Sequence, residues 1–240
     1  MNRETRVVIL AGGKGTRLAP YTTVLPKPLM PIHDMPILEI VLRQLKHHGF
    51  SDIVISIGHL AEILMAFFGD GAKWGLNIEY AIEDVPLGTI GPLRSIEGLN
   101  KPFIVMNGDV LTDIDYSALV GSHGSHGGLA TIATAKREIN IPFGLIEYDA
   151  KLTMTRFTEK PTLEHFVSMG IYVFDPKVMK YVPENRHYGF DNLMTDLLAD
   201  GEPIHVFPFD GQWLDIGRPE DFESACELFG KHRLRFLPGF

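Results

Sequence analysis

The sequence predicts an α/β fold: a Rossmann-like mixed, mainly parallel sheet flanked by helices, in a single domain. Short β-branched apolar runs alternate with segments of helical period from the start of the chain. The first of those runs leads straight into a glycine-rich turn, the position at which open α/β sheets bind ligands. Size agrees, because 240 residues at 45% hydrophobic content suffice for one well-buried domain.

The first run, Val7-Val8-Ile9-Leu10, is of the kind buried on both faces of a parallel sheet. Residues 36–48 place Ile37, Ile40, Val41 and Leu45 at helical spacing and stop at Gly49, a glycine C-cap. A strand over 53–57, a helix over 60–68 and a strand over 78–82 complete a βαβαβ pattern. Residues 89–98 read as a helix and 103–106 as a strand ending in Asn107-Gly108-Asp109. Further on, strands near 129–135, 144–148, 153–158 and 170–174 stand close together, which predicts antiparallel pairs laid onto the parallel core. Helices are expected over 176–182, 192–199 and 219–229. The Gly-Ser-His patch 121–128 reads as a polar loop, whose His123 and His126 have no nearby carboxylate or cysteine to make a metal site.

The net charge of −8 argues against a general nucleic-acid or membrane-surface binder, since both depend on a basic field. A single cysteine, Cys226, excludes a disulfide framework and a cysteine zinc site and fits a reducing cytosol; it reads as a small filler on the last helix. No apolar run approaches the roughly 18 residues of a membrane span, and the first residues lack a signal-peptide core. A cytoplasmic location is expected.

The densest chemistry lies in 11–32, AGGKGTRLAPYTTVLPKPLMPI. Gly12, Gly13 and Gly15 lack a Cβ, so a polyphosphate can come within hydrogen-bond range of consecutive amides, and Arg17 and Lys27 can reach the same anion. The kind of phosphate site stays open on these residues alone. Leu18 stands where a dinucleotide-binding turn has its third glycine, and no Gly-Lys-Ser/Thr closes a P-loop.

This segment resembles the signature of the sugar-1-phosphate nucleotidyltransferases (NDP-sugar pyrophosphorylases), roughly G-G-x-G-T-R-L-x-P-x-T-x-x-x-P-K-P-L-x-P. The likeness extends from Val7 to about Phe229 and implies the nucleotide-diphospho-sugar transferase fold. It implies a nucleotide half over about 1–115, a sugar-phosphate half over about 116–230, and no appended β-helix domain within 1–240.

Other strand ends take on meaning within that resemblance. Asp109, behind Gly108, resembles the metal carboxylate of an N-G-D motif, and Asp215 in Trp213-Leu214-Asp215-Ile216-Gly217 resembles a second one. Mg²⁺ suits them, because it takes one or two carboxylates and the substrate's own phosphates. Asp221 reads instead as a first-turn helix residue complementing the dipole. Glu159-Lys160-Pro161 is similar to E-K-P, in which the Glu accepts from sugar hydroxyls and the Lys holds the sugar phosphate. Phe143-Gly144 and Ser168-Met169-Gly170 resemble two further sugar-side motifs, with Ser168 in place of the usual Asn. Residues 83–92 resemble E-x-x-P-L-G-T-A-G-P, which places Glu83, Pro86, Gly88 and Thr89 on the nucleobase side; Gly88 would let the base approach the backbone. Leu10, Ala11, Gly12, Gly13, Gly15, Thr16, Asn107 and Gly108 join them as nucleotide contacts. Glu83 could accept from guanine N1–H and N2–H, which favours GTP.

The reaction so implied joins an NTP to a sugar 1-phosphate, giving an NDP-sugar and pyrophosphate. Arg17 and Lys27 are its catalytic cations and Mg²⁺ its cofactor. Alternatives are thymidylyl or uridylyl transfer, a CTP:phosphocholine-type cytidylyltransferase, and a silent subunit that binds nucleotide sugar. The residues carry no signal of oligomeric state, homo-oligomer included.

Overall fold

The computed structural model describes residues 4–83 and 85–239, so Asp84, inside the 83–92 segment, lies outside the described residues. The strands of the first half are β1 (Val7–Leu10), β2 (Pro31–Ile32), β3 (Met35–Pro36), β4 (Asp52–Ile57), β5 (Asn77–Ile82), β6 (Phe103–Asn107) and β7 (Val110–Thr112). Those of the second half are β8 (Ala130–Asn140), β9 (Leu145–Tyr148), β10 (Met154–Thr158), β11 (Thr162–Phe174), β12 (Ile204–Phe209) and β13 (Trp213–Asp215). The α-helices are α1 (Ile37–His47), α2 (Ala61–Phe68), α3 (Tyr116–His126), α4 (Phe190–Ala199) and α5 (Pro219–Phe236).

A seven-stranded sheet in the order β12-β8-β11-β6-β1-β4-β5 forms the centre. β1 lies parallel to both β4 and β6, and its Val7, Val8 and Ile9 are fully buried. Burial of each such side chain stabilises the fold by about 1.5–3 kcal/mol. The mixed, mainly parallel sheet follows the sequence pattern. β11 runs antiparallel to β6 and β8, and β12 returns parallel to β8. Because β11 spans 13 residues, it reaches from the centre of the sheet out to an arm of β8 and β11, beside which β9 and β10 pair.

Three of the expected elements take another form, and β12 of the central sheet was not among those expected. The helix expected over 89–98 is a short 3₁₀ turn, Gly91–Ser95. Ile90 and Gly91 donate their N–H groups to the Tyr188 carbonyl, so this backbone is committed to a distant segment rather than to helix. Likewise 176–182 forms only a 3₁₀ turn, Pro176–Lys180, capped by the Asp175 carboxylate. The patch 121–128 is not a loop: most of it is the end of α3. Asp115 caps that helix by accepting from Ser117 and Ala118 N–H, and Tyr116, Leu119 and His123 make a buried stripe at helical spacing. Gly127, in the left-handed region, closes it. No described helix is long and apolar enough to cross a membrane.

Candidate active site

The glycine turn leaves β1 at the carboxyl edge of the sheet and folds back on the segment that follows it. Gly15 has a positive φ of 61°, and a Cβ there would stand 2.9 Å from Thr22 Cγ2 and 3.3 Å from Lys27 Cβ. The Thr22 hydroxyl donates to the Gly15 carbonyl at 2.8 Å. Only glycine permits this fold-back, and it brings Lys27 over the end of β6. There Lys27 forms an ion pair with Asp109. The second oxygen of that carboxylate, Oδ1, is buried without a partner among the described residues.

Asp215 reaches the same place through pairing remote in sequence. β7 follows Asp109 directly and pairs antiparallel with β13, with Asp215 opposite Val110. The Ile216 N–H donates to the Asp109 carbonyl at 3.2 Å. Partial burial pushes the Asp215 carboxyl up and the charge of Asp109 adds to that, while Lys27 and Arg17 pull it down. The Arg17 guanidinium lies 3.2 Å from where a Cβ on Gly217 would stand, so that glycine leaves room for it. Asp221 accepts from the Gly217 and Arg218 N–H groups and caps α5, as its first-turn position implied.

A cavity of about 450 Å³ opens on this corner. It is lined by Arg17, Lys27 and Asp109 and by every residue expected on the nucleotide side: Leu10, Ala11, Gly12, Gly13, Gly15, Thr16, Glu83, Pro86, Gly88, Thr89, Asn107 and Gly108. Glu83 does more than face the cavity. Its Oε1 accepts from the Ser56 hydroxyl at 2.7 Å and would lie 2.8 Å from a Cβ on Gly12, so it ties β4 to the glycine turn.

Gly88 acquires a different reason for being glycine. Its φ is 84°, and a Cβ would meet the Tyr188 carbonyl oxygen at 2.8 Å. The position is small so that the 186–190 strap can dock, whatever passes on the open side.

The residues expected on the sugar side are not among those lining this cavity. Gly144 sits under the Phe157 ring and 3.2 Å, measured from a Cβ position, from Glu159 Oε2. Lys160 is 69% exposed, with its ammonium 3.9 Å from Glu159 Oε1 and a left-handed φ of 43°. Phe143 is exposed at the tip of the arm. Ser168 and Gly170 mark the bulge where the β11–β8 register shifts, just before β11 also pairs with β6, and the Ser168 hydroxyl accepts from the Gly170 N–H at 3.2 Å. A Cβ on Gly170, whose φ is 72°, would stand 2.6 Å from Asn107 Nδ2, so this bulge abuts the cavity.

Two cavity residues were not foreseen, Pro28 and His187. Pro28 lies inside the quoted motif and was within reach. His187 had no local signal, because it arrives through backbone hydrogen bonds between segments far apart in the chain.

Among the described residues no three His, Cys, Asp or Glu side chains form a metal cluster. Asp109 and Asp215 are a pair. An orphaned buried carboxylate oxygen beside a second carboxylate fits a hard divalent cation that completes its shell with phosphate and water oxygens.

The chain is 35% identical to a UTP–glucose-1-phosphate uridylyltransferase of Synechocystis over 92% of its length and 62% of the relative's. It is 32% identical to the mannose-1-phosphate guanyltransferase of Saccharomyces cerevisiae over 92% and 64% of the two lengths. It thus spans under two thirds of these relatives. The solved structure of HddC from Yersinia pseudotuberculosis in complex with GMP-PN superposes with a TM-score of 0.72 at 27% identity, covering 94% of this chain and 99% of that one. The nucleotidyl transferase family model matches residues 6–231, and the chain belongs to that family.

Proposed function

We propose that this chain transfers a nucleoside monophosphate from an NTP, with GTP favoured, to a sugar 1-phosphate, giving an NDP-sugar and pyrophosphate. The observation that carries this reading is the meeting of Arg17, Lys27 and Asp109 with a glycine turn on one cavity, with Asp215 beside them. Two cations and a carboxylate pair form a site for a polyphosphate and its counter-ion.

Asp109 and Asp215 would hold Mg²⁺, which when bound neutralises phosphate charge and orders the NTP oxygens. Arg17 offsets the charge of the departing pyrophosphate. Lys27 exchanges its ion pair with Asp109 for the α-phosphate. Lys160 holds the attacking phosphate and Glu159 accepts from the sugar hydroxyls, with Phe143, Gly144, Ser168 and Gly170 shaping the sugar side. A sugar phosphate with a second pKa of about 6 is largely dianionic at neutral pH and attacks the α-phosphorus without a protein base. The protein's part is positioning and charge neutralisation. The preference for GTP rests on Glu83, an acceptor on the cavity wall suited to the two donors of the guanine edge. Cys226, a free thiol, suits the cytoplasm, where such an enzyme would meet its substrates.

The test is a pyrophosphate-release screen of GTP, UTP, dTTP, CTP and ATP against sugar 1-phosphates, with and without Mg²⁺. Release with GTP and a hexose or heptose 1-phosphate, dependent on the metal, is expected. Silence for every pair would overturn the reading in favour of a binding protein. Uridylyl transfer is the second reading, favoured by the identity to the Synechocystis relative, and strongest release with UTP would select it.

A further inference from the structure

One stretch of the cavity wall comes from the second half of the chain. The strap 186–190 is joined to 87–91 by backbone bonds: the Tyr188 N–H donates to the Leu87 carbonyl at 2.8 Å, and the Ile90 and Gly91 N–H groups donate to the Tyr188 carbonyl at 3.0 and 2.9 Å. The Phe190 N–H adds a bond to Thr89 Oγ1 at 2.8 Å. His187 rides on this strap, lines the cavity, and has its Cε1 3.2 Å from a Cβ position on Gly88. Among the described residues no hydrogen bond or ion pair engages its ring.

The two cations of the cavity and its histidine have different neighbours. Arg17 and Lys27 gather near Gly15, Asp109 and Gly217. His187 has Gly88 as its neighbour instead, while Glu83 lies against Gly12 of the glycine turn. A phosphate chain belongs with the cations, which leaves the wall formed by Gly88 and His187 for the base and ribose. A neutral imidazole donates from one nitrogen and accepts at the other, so it can meet both the acceptors and the donors that a base edge and ribose hydroxyls present.

We propose that His187 contacts the nucleoside part of the bound nucleotide, so that a residue from the sugar-phosphate half sets affinity for the NTP. The inference rests on the nucleotidyl-transfer reading above. It also gives the strap a purpose, since backbone pairing between two loops holds a ring that would otherwise swing free.

Calorimetric titration of wild type, His187→Ala and His187→Gln with GTP, UTP and inorganic tripolyphosphate tests it. His187→Ala should weaken GTP binding by about tenfold, the worth of one or two hydrogen bonds, and leave tripolyphosphate binding unchanged. His187→Gln, which keeps a donor and an acceptor, should recover most of the loss. In turnover the alanine variant should raise the KM for the NTP while kcat holds. Equal weakening of GTP and tripolyphosphate would make His187 a phosphate contact and overturn the proposal. So would GTP affinity unchanged in both variants. If wild type binds no nucleotide at all, the nucleotidyl-transfer reading fails and this inference fails with it. The side chain is exposed, so matching thermal unfolding curves will show that the variants are folded.

Discussion

Lys27 and Asp109, 82 positions apart in sequence, form an ion pair with only 12% and 21% of their side chains exposed. One carboxylate oxygen meets the ammonium, and the other is buried and unpartnered among the described residues. A buried acceptor left unmatched costs about 1–3 kcal/mol, so this oxygen would gain from a further donor or cation.

Replacing Lys27 with alanine should act on turnover more than on binding. A fall in kcat on the order of 10²–10³-fold is expected for loss of a charge aimed at the transition state, with a much smaller change in KM for the NTP. Steady-state kinetics check this, and unchanged turnover would remove Lys27 from the mechanism. Stability should also fall, by about 3–5 kcal/mol at most, because Asp109 is left without its counter-charge.

Chelation with EDTA should abolish pyrophosphate release, and excess Mg²⁺ should restore it. If both carboxylates hold the metal, Asp109→Asn and Asp215→Asn should each raise the half-activating Mg²⁺ concentration by about tenfold or more, since even partners outside a metal's ligand shell are worth about 10–100-fold. A Mg²⁺ titration that is the same in wild type and Asp215→Asn would leave Asp215 with a purely structural place in the β7–β13 ladder.

Gly88→Ala and Gly13→Ala should part company in thermal unfolding. At Gly88 the new Cβ meets the Tyr188 carbonyl at a φ of 84°, a strain of about 1–3 kcal/mol that lowers Tm and loosens the strap carrying His187. At Gly13 a Cβ meets nothing within 4 Å, so Tm should hold or rise slightly. Equal losses at both sites would contradict the assignment of Gly88 to strap docking.

Acid should destabilise the fold partly through His123. The residue is 3% exposed, with its Nδ1 2.9 Å from the Thr131 hydroxyl. Burial pushes its pKa below the usual value of 6.5, and His205 adds to the shift while Asp175 opposes it. The unfolded chain thus binds a proton first as pH falls. The contribution is complete above about pH 6.5 and is lost as pH drops toward the lower folded value. Urea unfolding from pH 7.5 to 5 should show a shallower acid loss for His123→Gln than for wild type; parallel curves would refute the assignment.

The glycine turn was legible because its pattern is local: glycines after a buried strand, then Arg17 and Lys27 in the segment that follows. The positions expected on the nucleotide side, several of them from the family resemblance alone, line one cavity. The α3 region misled because its glycines, serines and histidines have poor helix propensity; the Asp115 cap and the Tyr116–Leu119–His123 stripe outweigh it. The 89–98 segment misled in the opposite sense, since its N–H groups are claimed by Tyr188.

By itself the sequence determined the α/β class, the glycine turn with Arg17 and Lys27, and the two acidic strand ends, since residue type and short-range spacing encode these. Tertiary structure alone decided that Asp215 stands beside Asp109, that Glu83 is held by Ser56, and that His187 shares a wall with Gly88. The first and third depend on backbone hydrogen bonds between distant segments, which every residue but proline can donate, and the second on a strand register. None of these leaves a mark in composition or periodicity.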